Sequence, residues 1–480
     1  MRGRAALAAA VGAALTMAGC TVVGPDYRVP DTAAVKRASA QGGFQEAAGA
    51  HVAAAPLADH WWHLYDDPRL DALVEQALVA NIQLRVAAAN LRRARSVAEM
   101  VDAERDVHVE AEAAGSRSRV AGEAYLLPET VPVLNLGNVG IQVGYQLDLF
   151  GQLKRGEEAA HAQVEAQIAA QDLARVSVVG ETVQAYVQGC AATHEEAALR
   201  SSLAVQQRAL TVTQRLGAAG RIPTTEVARA QVQLEALQAQ QPRWVAERAA
   251  ARYRIAALLG RTPQELGEAE VACAQLPTLR QPLPVGDGAA LLQRRPDVRQ
   301  AERQLAVATA RIGVATADLY PSISLGASAG LTGIAEHLGR SPTQRWGLGG
   351  LISWHIPDAG ARARVKVTEA EAEAALARFD GVVFNALREV ETALNAYGRD
   401  LDRLAYWRAA HQHARQLAQQ SRQLYQAGRA PYQHSVDADR ALSSVDTSLA
   451  NAEVAVAVDQ VRVFMTLGGG WERPTQAGEK

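Results

Sequence analysis

Apolar and polar positions follow two different periods along this chain. In four short stretches they alternate. Val107, Val109, Ala111 and Ala113 oppose His108, Glu110 and Glu112, and Ile141, Val143, Tyr145 and Leu147 oppose Gln142, Gly144, Gln146 and Asp148. Ile323, Leu325, Ala327 and Ala329 oppose Ser322, Ser324, Gly326 and Ser328, and Trp346, Leu348, Ile352 and Trp354 oppose Gly347, Gly349, Ser353 and His355. A period of two predicts strands with one apolar and one polar face. Each runs about ten residues, the length of a tilted membrane-crossing strand. Tyr145, Phe150, Tyr320, Trp346 and Trp354 fall where interfacial aromatics belong. Loops around Val120–Gly137 and Thr332–Arg345 close two hairpins. A soluble sheet would share this period, and the secretory leader described below decides for the membrane.

Elsewhere the period is helical. Trp61–Leu70 leads into a helix carried by Leu73, Ala77, Leu84, Ala88 and Leu91. Val133–Ile222 and Asp358–Ala430 contain no proline, and each predicts a helix of roughly 65 residues, on the order of 100 Å at the rise per residue of an α-helix. In the second, Val383, Leu387, Val390, Leu394, Tyr397, Leu401 and Leu404 alternate spacings of four and three. That heptad seam predicts lengthwise coiled-coil packing. A helix of this length must project through an aqueous space.

The same order of elements recurs about 208 residues further on. The bend Leu147–Gly156 returns at His355–Arg364, the turn Gly220–Pro223 at Gly428–Pro431, and the helix end Leu258–Gly260 at Thr466–Gly468. One duplicated unit organises the chain. The expected division is a signal peptide at 1–19, an extended segment at 20–60, a first repeat at 61–290, a second at 291–471 and a tail at 472–480.

Composition sharpens this picture. Of 480 residues, 48% are hydrophobic and only 5% aromatic, which favours slender close-packed helices. A net charge of -2 leaves no electrostatic footprint for nucleic acid. Arg2 and Arg4, the apolar Ala5–Leu15 and the small-residue site before Cys20 form a secretory leader ending at a lipidation cysteine. Acyl chains there would anchor the N-terminus, each buried methylene contributing about 0.8 kcal/mol. Thr21, in place of an aspartate, favours sorting to the outer membrane. The lipid on Cys20 is the one covalent group expected, with no other cofactor. Cys190 and Cys273, the remaining cysteines, read as small buried residues.

Four strands cannot close a barrel, and an open edge leaves backbone groups unsatisfied in lipid. Two protomers give eight strands and a filled interior, whereas three give twelve and a passage. A homotrimer is therefore the smallest assembly expected to form a continuous pore, its polar strand faces lining a wet lumen.

Val23–Pro30, Trp61–Leu70, Arg295–Glu302, Ile312-Gly313 and Tyr320-Pro321 resemble the TolC/OprM-type outer-membrane factors, specifically the NodT group of efflux lipoproteins. The resemblance runs from Cys20 to about Trp471. It implies a mixed α and β membrane protein, with four transmembrane strands per protomer forming a trimeric twelve-stranded barrel and a periplasmic α-helical tunnel. The implied partners are a periplasmic membrane-fusion adaptor, an inner-membrane RND-type pump and outer-membrane lipid, with the chain acting as an exit duct for small molecules. By the same resemblance, Gly217, Gly220, Arg221 and Pro223, and Gly428, Arg429 and Pro431, form adaptor-docking tips. Gln433–Arg440 resembles the segment that narrows the tunnel. Asp437 would line the aperture with Arg440 as its ion-pair partner, beside Asp439, while Gln433 replaces a common apolar residue.

No catalytic constellation appears. His411 and His413 are two apart on a helix and share no face. His60 and His63 flank Trp61–Trp62 without a carboxylate or cysteine partner, so neither an enzyme nor a zinc site is expected. A type I protein-secretion duct and a periplasmic coiled-coil scaffold are the rival readings, and the scaffold would not need two amphipathic hairpins.

Overall fold

The computed structural model describes residues 22–47, 51–119, 121, 123, 126, 128–279 and 281–470. The signal peptide, Cys20 and the tail at 472–480 lie outside the described residues. In chain order the main elements are α1 (Pro68–Ala80), α2 (Ile82–Asp102), β1 (His108–Ser118), β2 (Leu134–Leu147), α3 (Gln152–Ala218), α4 (Thr224–Gln238), α5 (Gln241–Leu258), α6 (Gly288–Arg294), α7 (Pro296–Ala317), β3 (Ser322–Ile334), β4 (Gln344–Ser353), α8 (Ala359–Gln426) and α9 (Tyr432–Thr466). The two long helices hold 67 and 68 residues. No helix among the described residues is long and apolar enough to cross a membrane.

The chain forms two compact units. The first takes the described residues up to Pro30, Asn90–Gln167 and Gln300–Phe379. Its centre is an antiparallel sheet in the order β1-β2-β3-β4. The register carries each face unbroken from strand to strand. Val109 lies opposite Val143, Val143 opposite Ala327 and Ala327 opposite Leu348, while Ala111, Ile141, Ala329 and Trp346 form the next apolar row. On the other face Glu110, Gln142, Ser328 and Gly347 share a row. Leu351 departs from the polar alternation, opposite Ser324. Trp346 and Leu348 are 84% and 82% exposed, so among the described residues nothing covers them on the apolar face.

The N-terminal segment laces this unit together. Arg155, 2% exposed, donates to the carbonyls of Val23 and Gly24 at 3.1 Å each and pairs with Asp26 at 2.9 Å. Tyr27 donates to Glu302 at 2.6 Å. A Cβ on Gly24 would stand 2.4 Å from the Cα of Gly313, so the two glycines allow the backbones to touch. Motifs far apart in the sequence are thus one contact set.

The second unit takes Asp31–Ala89, Ile168–Arg299 and the described residues from Asp380. Its core is built on Trp61, Trp62, Tyr65, Leu70 and Val74 with the predicted seam, where Val383, Val390, Leu394, Tyr397 and Leu404 are all buried. Trp61 stacks on Phe464 at 4.5 Å between ring centroids. Arg295 donates to the Thr466 carbonyl at 2.9 Å and pairs with Asp297 and Glu389 at 2.6 and 3.0 Å.

Four sequence readings are corrected. The helix expected to pass through Leu73 and Leu91 is two helices parted at Asn81, whose backbone is extended. Its side chain donates to Leu258 at 2.9 Å and caps α2 by accepting from Gln83 at 2.8 Å, a buried polar group satisfied only with the helix interrupted. The returning helix of the first copy is likewise split, because Pro242 in the first turn of α5 brings no amide hydrogen to continue α4. His63 does have a carboxylate partner, Asp71 at 2.9 Å, one turn of α1 below it. Cys190 and Cys273 form a disulfide, with Cα atoms 5.3 Å apart, because the segment after α5 folds back over α3 with Leu276 and Leu279 against the core.

The bridge closes a separation of 83 residues, and constraining so long a loop stabilises a fold by about 2–4 kcal/mol. Replacing both cysteines by serine is expected to lower the denaturation midpoint. Wild-type protein under a thiol reductant should move toward the variant, and identical midpoints would show that packing alone holds the segment.

Candidate functional site

The two turns called as tips have the same backbone. In the first, Gly220 sits at φ +68°, its amide donates to the Gly217 carbonyl at 2.9 Å, and the Arg221 amide donates to Leu216 at 2.9 Å. In the second, Gly428 sits at φ +66°, its amide donates to Tyr425 at 2.9 Å, and the Arg429 amide donates to Leu424 at 2.9 Å. This paired capping satisfies carbonyls that a helix end leaves open and needs a left-handed residue, which glycine adopts without strain. A Cβ at Gly220 or Gly428 would meet nothing within 4 Å, so backbone angle alone explains both. Gly217 differs: a Cβ there would stand 2.9 Å from Val227, so close packing explains it. Pro223 and Pro431, at φ -63° each, begin the returning helices, and Arg221 and Arg429 are exposed.

The segment after the second turn is the first two turns of α9. Asp437 accepts from Gln433 at 3.0 Å and from Arg440 at 3.4 Å, so these three called residues form one cluster. Asp439 stands apart from them, accepting two bonds from Arg422 of α8 at 2.9 and 2.7 Å. Tyr425 and Tyr432 pack at 5.1 Å across the same turn. Arg422 is not among the sequence candidates, and it and Asp439 lie at unequal distances from the turn, so the reach of a long side chain across the antiparallel helix pair makes this contact and no local spacing signals it. The Asp437 side chain is 58% exposed, so its bond to Arg440 is a weak tether rather than a lock.

The model of the family described as outer membrane efflux protein matches residues 73–261 and 289–469. The chain belongs to that family. Each matched segment holds one long helix and one turn, followed by a return that is split in the first segment and unbroken in the second. The efflux channel is 29% identical to nodulation protein T of Rhizobium leguminosarum bv. viciae over 478 residues, covering 99% of this chain and 95% of that one. It is 29% identical to the toluene efflux pump outer membrane protein TtgI of Pseudomonas putida, covering 96% and 97%. Among solved structures, the outer-membrane channel OprN is 36% identical with a TM-score of 0.86, covering 94% of this chain and 99% of that chain. The Campylobacter jejuni CmeC outer membrane channel, at 21% identity and a TM-score of 0.84, shares the fold. The protein is an outer-membrane efflux channel of the TolC-like fold, and it is not an enzyme.

Further along α9 the channel carries polar pairs that sequence reading missed. Glu453 meets His194 of α3 at 2.9 Å, and Asp446 meets His411 of α8 at 3.1 Å. Gln460 donates to Tyr397 at 3.4 Å, and the buried Asp459 is hydrogen-bonded to Asp400. Among the described residues no group of three His, Cys, Asp or Glu side chains is placed to hold a metal ion. The hydrogen bond with Glu453 raises the His194 pKa against the effect of burial. Burial, reinforced by Asp400, pushes Asp459 up to about 6 against Arg462 and Arg403.

The folded channel therefore keeps a proton on Asp459 that an unfolded aspartate has already lost above about pH 4. Its contribution to stability falls as pH rises from there through about 6. Asp459→Asn removes the penalty of ionising a buried carboxyl. It is expected to be more stable than wild type by on the order of 1 kcal/mol at pH 8 and no more stable at pH 4, read by heat denaturation in detergent. An equal gain at both pH values would overturn this account.

Proposed function

We propose that three copies of this chain close a twelve-stranded barrel and act as the exit duct of a tripartite efflux system for small molecules. The observation that carries this reading is the sheet: four strands, apolar on one face, with β1 and β4 left as open edges. In lipid those edges must be paired, and three copies are the fewest that leave a lumen. A lipid on Cys20 would hold the N-terminus at the membrane. The two capped turns are the proposed docking points for a periplasmic membrane-fusion adaptor that joins the duct to an inner-membrane RND-type pump. The relatives named for solvent and toluene efflux support a small-molecule cargo.

Purified protein is expected to run as a trimer by mass measurement in detergent and to pass single-channel currents in planar bilayers. Deleting the gene should sensitise cells to small toxic compounds and leave protein secretion intact. A secretion defect without sensitisation would favour protein export instead.

The proposed gate is the Gln433, Asp437 and Arg440 cluster, with Asp439 tying α9 to Arg422 behind it. Repeated around a threefold axis, Asp437 would place like charges at one level, held by Arg440 until an adaptor docks. Asp437→Ala is expected to raise the conductance of the purified channel about twofold or more. Unchanged conductance would remove Asp437 from the gate.

A further inference from the structure

The polar face of the sheet carries one feature the duct reading leaves unused. Arg345 on β4 and Glu112 on β1 occupy the same row, joined through Gly140 and Gly330, and both are half-buried although they lie on edge strands. A chain of hydrogen bonds links them across all four strands. Arg345 donates to the Thr332 hydroxyl at 2.8 Å and to the Asn138 side-chain oxygen at 2.9 Å, and Thr332 donates to that same oxygen at 2.7 Å. The Asn138 amide then donates to Glu112 at 2.7 Å, and Gln142 donates to its other oxygen at 3.3 Å.

The glycines make room for this. A Cβ on Gly140 would stand 2.9 Å from the Arg345 guanidinium, and one on Gly330 would stand 2.4 Å from the Val139 carbonyl. The backbone is kept bare so that a long cation can lie across it. Among the described residues neither charge is spent on a counter-ion: the guanidinium binds a neutral amide oxygen and a hydroxyl, and the carboxylate binds two neutral amides. Both are fixed in direction by these bonds.

We infer that Arg345 and Glu112 form a charged belt that sets the ion selectivity of the barrel. This rests on the reading that the polar face lines the lumen of a trimer. Three copies would then hold three fixed cations and three fixed anions in one belt on the half of the sheet nearer the hairpin loops. A fixed charge favours the opposite mobile ion, and the two residues oppose each other in that respect. Glu110 and His108 share the face in rows farther from the loops and would form the background in every variant.

The test is the reversal potential of reconstituted channels under a potassium chloride gradient. Arg345→Gln is expected to shift the potassium-to-chloride permeability ratio about threefold toward potassium, and Glu112→Gln by a similar factor toward chloride, both shrinking as salt rises. Arg345→Lys should keep the wild-type ratio. Asn138→Ser cuts the strap but leaves both charges, and it should also keep that ratio. Wild-type potentials in conducting Arg345→Gln and Glu112→Gln channels would overturn the belt. So would shifts of both in one direction, or a shift in Asn138→Ser, since either marks a merely structural strap. If the wild type passes no current, the lumen reading falls first and the belt with it.

Discussion

Hydrocarbon offers a backbone amide no partner, and an unpaired N–H or C=O there costs several kcal/mol. The sheet of this chain meets that constraint across its middle and fails it at its two sides. Within the sheet the register pairs β1 with β2, β2 with β3 and β3 with β4, and each pairing keeps apolar residues on one face and polar residues on the other. At β1 and β4 the ladder stops. A soluble protein could cover such edges with a loop or a charge. A chain whose apolar face bears Trp346 and Leu348 uncovered has no use for that device, because its edges and its apolar face share one solvent. Pairing with further copies is the remaining solution, and with it would come the proposed lumen, lined by the polar face and the charges fixed on it.

The helices answer a second constraint, which is to reverse direction sharply while leaving no carbonyl open. The same capping pair occurs at both turns, and its geometry fixes which residues of the two antiparallel helices face each other. Tyr425 with Tyr432, His411 with Asp446 and Tyr397 with Gln460 all lie at nearly equal distances before and after Gly428. One glycine at φ +66° thus indexes a whole seam of contacts.

That relation also explains which parts of the molecule were legible beforehand. Strand alternation, the heptad seam and the glycine turns are local, periodic signals, and the corresponding elements form where those signals lie. The breaks were not periodic. Asn81 interrupts a helix because its side chain is required at Leu258, far along the chain, and nothing in the local pattern announces that. Pro242 is a local break signal in the first turn of α5, where it parts the returning helix. The disulfide between Cys190 and Cys273 depends on a patternless segment folding back over α3, which no spacing rule supplies. At the start of α9, Asp437 and Arg440 stand one turn apart and their contact follows from helical geometry. The Arg422 partner of Asp439 was not legible, because the two lie at unequal distances from the turn and a long side chain closes the gap.

The two copies of the repeat have diverged where they differ in rigidity. In the first, the returning helix is broken beside Pro242, and the disulfide ties the segment that follows it back to α3. In the second, α9 runs unbroken for 35 residues. Its bonds to α3 and α8 pass through His194, whose pKa the Glu453 bond raises, and through Asp459, pushed up to about 6 by burial. A covalent tie is indifferent to pH, whereas a buried carboxyl pushed up to about 6 is not. An unbroken helix also transmits a displacement along its length, which a helix parted at a proline does not. The copy whose helix is continuous and whose attachments can loosen is therefore the one suited to move, and it is the copy whose first turns carry Gln433, Asp437 and Arg440.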